Sequence, residues 1–116
     1  MSIVHLNVGG WVFCTTRETL ASSNSFFSGL VVHDAGCTHG DQVHEFFIDR
    51  DPMYFRYILN WLRGVRFLPD DDSALHELSF EADYYSMEDM LTSIRQKRTG
   101  VTPSLNVSLA RIVSRI

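Results

Sequence analysis

Apolar and polar residues alternate at the start of the chain. Val4, Leu6 and Val8 are separated by His5 and Asn7, the period of two expected of a strand with one face on a core. Gly9-Gly10 follows, then a second β-favouring run, Trp11-Val12-Phe13-Cys14-Thr15. Two such runs joined by two glycines predict a tight hairpin, because both turn positions tolerate positive φ. Thr15 and Glu18 have capping-box spacing and predict a short helix through Leu20. Phe26, Phe27 and Leu30 mark a second helical piece. Residues 33–44 show no apolar period and read as a polar surface loop. Glu45-Phe46-Phe47-Ile48 reads as a short apolar strand.

Asp51-Pro52 then supplies an N-cap and a proline at the first helical position, predicting that a helix opens there. Phe55, Ile58, Leu59 and Leu62 form one stripe along it, and Tyr54, Tyr57 and Trp61 a second. The first stripe fills the domain's own core. The second has to be covered by another helix of the domain or by another chain. Arg63-Gly64 ends the helix with a cation and a glycine. Asp70-Asp71-Asp72 leads into a helix carrying Leu75, Leu78 and Ala82, closed by Tyr84-Tyr85. Ser86-x-x-Asp89 is read as the cap of a last helix with Met87, Leu91 and Ile94. Thr99 to Pro103 breaks that helix. Beyond it Leu105, Leu109, Ile112 and Ile116 lie roughly on one helical face beside Arg111 and Arg115. The expected organisation is a domain over residues 1–98 and a tail over 99–116, disordered or a short amphipathic helix. Strands come first and helices dominate afterwards, so the class is α+β, with a hairpin-containing sheet and about five short helices.

The 116 residues suit one domain rather than two. Ten basic against fourteen acidic residues argue against binding a phosphate backbone, which needs clustered Lys and Arg. No apolar run is long enough to span a membrane, and no direct membrane insertion is expected. The first residues lack the pattern of a secretory leader. Two cysteines, Cys14 and Cys37, are too few for a disulfide-stapled domain, so a cytoplasmic, reducing setting is expected.

No catalytic set emerges. Gly9-Gly10 is not followed by the Lys-Ser/Thr of a phosphate loop, and no Gly-x-Ser-x-Gly elbow occurs. Cys14, in a strand beside Phe13, is expected to be a buried, inert thiol. His33, Cys37, His39 and His44 put four zinc-type ligands within a twelve-residue stretch. Their spacing matches no paired Cys/His knuckle, and a solvated loop is the preferred reading. A small metal-binding protein using that loop is the competing class, and neither a metal nor a cofactor is expected. Asp49-Arg50-Asp51 places two carboxylates around one guanidinium. An ion-pair network, within or between chains, fits this better than an acid–base dyad. Asp70-Asp71-Asp72 lacks the alternating ligands of a calcium loop and reads as a helix start.

Three stretches resemble one family in register. Val4-His5-Leu6-Asn7-Val8-Gly9-Gly10-Trp11 is similar to the opening of the BTB/POZ domain in its potassium-channel-tetramerisation form. So are Phe47-Ile48-Asp49-Arg50-Asp51-Pro52 with Phe55-Arg56-Tyr57-Ile58-Leu59-Asn60-Trp61-Leu62-Arg63-Gly64, and Leu78-Ser79-Phe80-Glu81-Ala82-Asp83-Tyr84-Tyr85. The wording is closer to soluble KCTD-type proteins than to channel subunits. Ser23-Asn24, the 31–44 segment and Val65-Arg66-Phe67 depart from the family's pattern. The intersubunit zinc site of some channel forms does not carry over, since no cysteine follows Cys37.

The resemblance implies a BTB/POZ fold and a non-enzymatic protein-interaction domain that assembles with itself into tetramers or pentamers. A head-to-tail ring uses two different faces per subunit, which complementary charges suit. By analogy Asp49, Arg50, Asp51 and Arg56 fall near that interface, with an intrachain pair as the alternative for Arg50. Many soluble relatives bind a cullin scaffold as ubiquitin-ligase substrate adaptors, and a channel-associated assembly role is the alternative within the family. Tyr54, Trp61, Tyr84 and Tyr85 are the candidate partner contacts, the alternative being ordinary core aromatics.

Overall fold

A computed structural model of the protein describes residues 2–34 and 44–100. The side chains of His33, Cys37, His39 and His44, the polar loop around them and the tail beyond residue 100 lie outside the described residues. The element order is β1 (Ile3–Val8), β2 (Trp11–Thr16), α1 (Arg17–Ala21), α2 (Phe26–Asp34), β3 (His44–Ile48), α3 (Phe55–Leu62), α4 (Asp72–Tyr84) and α5 (Glu88–Thr99). The class is α+β, with a three-stranded sheet and five helices among the described residues.

β1 lies at the centre of the sheet. It pairs antiparallel with β2 and parallel with β3, in the order β2-β1-β3. The hairpin turns at Gly9 and Gly10, with φ of +55° and +105°, and Asn7 Oδ1 accepts the Gly10 N–H at 2.8 Å. Gly9 is required for a second reason. A Cβ there would meet the Arg50 carbonyl oxygen at 2.4 Å, and its N–H donates to the Ile48 carbonyl at 2.9 Å. The hairpin tip is therefore seated on the segment that leaves β3.

Val4, Leu6 and Val8 point inward and are fully buried, together with Leu20, Phe27, Phe55, Ile58, Leu78, Met90 and Ile94. The other face of the sheet is open. In cross-strand register it carries Cys14–His5–Glu45 and then Val12–Asn7–Phe47. Cys14 is on this face and exposed, not buried: Phe13 and Thr15 take the inward positions of β2, and alternation sends Cys14 out.

Three helix boundaries differ from expectation. Thr16, not Thr15, caps α1, its side chain accepting the Thr19 N–H; Thr15 is still in the strand. Asp51 accepts the Met53 N–H at 3.0 Å, which fixes a turn, and α3 begins later, at Phe55. Ser86 is the C′ residue of α4 rather than the cap of α5. Its φ is +57°. Ser86 N–H donates to the Asp83 carbonyl and Met87 N–H to the Ala82 carbonyl, which is a Schellman closure. The other ends follow expectation: Asp71 caps α4 by accepting the Ala74 N–H, and Gly64, at φ +92°, follows α3.

Candidate functional site

The segment after β3 holds the predicted charged set, and the structure separates its members. Arg50 Nε donates to Glu81 Oε1 at 3.1 Å and its Nη2 to Oε2 at 2.9 Å, a bidentate pair across to α4. Its Cζ lies 4.3 Å from the centre of the Tyr84 ring. The hydrogen bond to Glu81 raises the Arg50 pKa above its ordinary value. Arg50 thus has an intrachain partner, but it is Glu81, 31 residues away, not the adjacent Asp49 or Asp51. Sequence spacing carries no signal for such a pair; only the fold, which brings the segment after β3 beside α4, creates it.

With Arg50 occupied, Asp49 and Asp51 face solvent. Arg56, on the first turn of α3, is exposed, lies over the Tyr57 ring at 5.4 Å and forms no ion pair among the described residues. Asp49 and Asp51 likewise form no ion pair among the described residues.

Around them is an apolar surface that the sequence reading passed over. Phe47 is 66% exposed, Met53 58% and Val12 57%, with Trp11 also open at the hairpin tip. Phe47 and Val12 flank Asn7 across the outer face of the sheet, about two strand spacings or ~10 Å apart. The signal was present in the period of β3. If Ile48 faces the core, Phe47 must face away.

The predicted partner aromatics divide. Tyr84 is exposed and Tyr54 half-buried, its hydroxyl donating to Glu77 at 3.4 Å. Tyr85 is 0% exposed and Trp61 5%, so both belong to the core rather than to a contact surface. Tyr85 stacks on Phe27 at 4.8 Å and meets Phe55 edge-on at 5.5 Å. Its hydroxyl has no hydrogen-bond partner among the described residues, and burial pushes its pKa well above the ordinary tyrosine value.

Trp61 is covered from the α5 end. Its Nε1 donates to Asp89 Oδ2 at 3.3 Å, Arg66 Nη1 donates to the same oxygen at 2.7 Å, and the Arg66 guanidinium lies 4.8 Å over the indole. Burial raises the Asp89 pKa, but the hydrogen bonds from Arg66, Trp61 and the Met90 N–H outweigh it and hold the carboxyl below its ordinary value. Tyr57 is stacked by Phe67 at 6.3 Å. The second stripe of α3 is therefore covered largely by this chain itself.

A hollow of about 430 Å³ opens beside Trp61, between Ser22–Ser25 and Arg66. No nucleophile–base pair lines it. Among the described residues no group of three or more His, Cys, Asp or Glu is arranged to hold a metal ion. No described helix is long and apolar enough to cross a membrane.

A family model for the BTB/POZ domain matches residues 4–94. Human BTB/POZ domain-containing protein KCTD17 is 39% identical over 95 residues, covering 81% of this chain and 30% of that protein. Mouse KCTD21 is 32% identical over 119 aligned positions, covering 97% and 46%. The Arabidopsis thaliana FH protein interacting protein FIP2 is 40% identical over 108, covering 86% and 34%. The chain spans less than half the length of each of these relatives.

Proposed function

This chain belongs to the BTB/POZ family, and from that premise we propose that it is a non-enzymatic domain for self-assembly and protein recruitment. The family match over residues 4–94 carries the reading. The surface supports it: an open apolar face lies beside two acids and an arginine that form no ion pair among the described residues, the composition of a contact.

The proposed assembly is a closed ring of four or five chains. Asp49 and Asp51 of one subunit meet Arg56 of the next, and Phe47, Val12 and Met53 supply the apolar area. Arg50 acts from within, its bond to Glu81 holding the 49–51 segment in place. The finer role proposed is that of a substrate adaptor in the cytoplasm, binding a cullin scaffold through the exposed Tyr84 and its surroundings. The domain occupies residues 1–98.

Sedimentation equilibrium on the unaltered chain, Phe47→Glu and Arg56→Glu tests the ring. The expected result is a multiple of four or five chain masses that falls towards the monomer in both variants. A monomer throughout overturns it. For the adaptor role, a purified cullin N-terminal region is titrated into the assembled protein. Heat that Tyr84→Ala abolishes supports the role; no heat at ~10 µM, a concentration where a complex of ~8 kcal/mol would form, removes it and leaves a scaffold.

A further inference from the structure

α4 and α5 form an antiparallel hairpin, joined by residues 85–87. Its open end is tied by Arg98 to Asp72 at 2.9 Å and by Lys97 to Asp70 at 3.0 Å. Two hollows lie along its outer surface. One, of about 290 Å³, has the buried Leu91 and Ile94 at its floor and Phe80, Asp83, Arg95 and Arg98 around it. The other shares Arg95 and Arg98 and reaches Thr99, so the two make one trough. No residue of the sheet or of the 49–56 segment lines it. Phe80 is 56% exposed on its wall, and among the described aromatic groups its ring meets only the edge of His76, at 4.9 Å.

The charges on the rim are not equally engaged. Arg98 is bound to Asp72 and lies 2.9 Å from His76 Nδ1. Arg95 and Asp83 are exposed and form no ion pair among the described residues. The contacts of Arg98 with residues 72 and 76 set the register of the hairpin. In that register Arg95 is level with about residue 77 of α4, and Asp83 lies about six residues, or ~9 Å, further along. Phe80 falls between them. The trough thus presents a cation, an aromatic ring and an anion in line.

We propose that this trough receives a helix of a partner protein whose contact face carries a carboxylate and a basic residue seven positions apart, with an apolar residue between them. Residues at i, i+3 or i+4, and i+7 share one helical face, and i to i+7 spans ~10 Å, which matches the trough. The carboxylate meets Arg95, the basic group meets Asp83, and the apolar side chain packs on Phe80 above Leu91 and Ile94. The apolar centre supplies the attraction of a helix-in-groove contact, and the two charges fix its register and exclude helices of other patterns. This goes beyond the assembly reading and does not need the ring.

Fluorescence anisotropy of a labelled, alanine-based helical peptide with Glu, Leu and Lys at i, i+3 and i+7, titrated with the full chain, tests this. Half-saturation is expected below ~1 mM. A companion peptide with Lys in place of Glu should bind at least tenfold more weakly. Phe80→Asp and Arg95→Glu should each weaken the first peptide at least tenfold, and Arg95→Glu should take up the two-lysine peptide instead. Both residues are exposed, so their replacement leaves the core intact, and the gained binding separates a changed contact from a lost fold. The native mass should stay the same in both variants, which reads this site separately from the ring. No binding at ~1 mM overturns the proposal. So does binding that ignores the difference between the peptides, or that survives Phe80→Asp. A native mass that falls in Phe80→Asp also overturns it, by placing a second copy of the chain in the trough.

Discussion

Tyr85 brings a hydroxyl into the core with nothing among the described residues to receive it, an arrangement that costs about 1–3 kcal/mol for a buried polar group. Tyr85→Phe keeps the stacking on Phe27 and Phe55 and removes that cost, so it should stabilise the fold by about 1 kcal/mol in urea unfolding. The opposite case is Glu81. Glu81→Ala strands the half-buried Arg50 guanidinium and should destabilise by about 1.5–3 kcal/mol, with the 49–51 segment loosening first in hydrogen exchange. Neither position was legible from sequence. For Tyr85 the sequence leaves a partner contact and an ordinary core aromatic both open, because the resemblance ends on a tyrosine pair that straddles the helix end: one ring turns out and the other in. Cys14 faces out because Phe13 beside it faces the core, and alternation in a strand makes neighbours opposites.

Among the elements, the turns have the least tolerance. Gly9→Ala adds a methyl where the Arg50 carbonyl already stands, at a positive φ, and should cost about 2 kcal/mol or more, read as a drop in Tm. Ser86 also occupies the left-handed region, at the C′ position of α4 where glycine is usual. Ser86→Gly should therefore stabilise by up to about 1 kcal/mol, the relief of strain exceeding glycine's greater entropy when unfolded. The ion pairs between elements set an acid limit. Asp89, held by Arg66 and Trp61, and Asp72, held by the hydrogen bond from Arg98, both have pKa values below the usual carboxylate. Their support is present above the unfolded carboxylate value near pH 4 and fades as pH falls through the lower folded values. The stability gap between the unaltered chain and Asp89→Asn should narrow from pH 6 to pH 3. The hairpin, the core stripe of α3 and the end at Gly64 were all legible, because period and glycine act within a few residues. The shifted starts of α1, α3 and α5 were not: Thr15 and Thr16 are adjacent caps, Asp51 closes a turn before α3 rather than its first turn, and Ser86 is used by the end of α4.

For the whole molecule, the order of strands and helices and three short motifs sufficed to identify the fold. Which surface the fold leaves unpartnered was only partly legible. The aromatic stripe, which calls for cover by another helix of the domain or by another chain, is covered from within by Arg66, Phe67 and Asp89, while the open apolar face, Val12 and Phe47 on the sheet, lies inside what reads as ordinary strands. The assembly surface proposed is therefore the open sheet face and the 49–56 segment. The native mass of the full chain by light scattering coupled to size exclusion, from 1 to 100 µM, tests that directly. A closed particle of four or five chains, constant across the range, is the predicted result. A monodisperse monomer at every concentration, with the same hairpin and helices intact, would contradict the account.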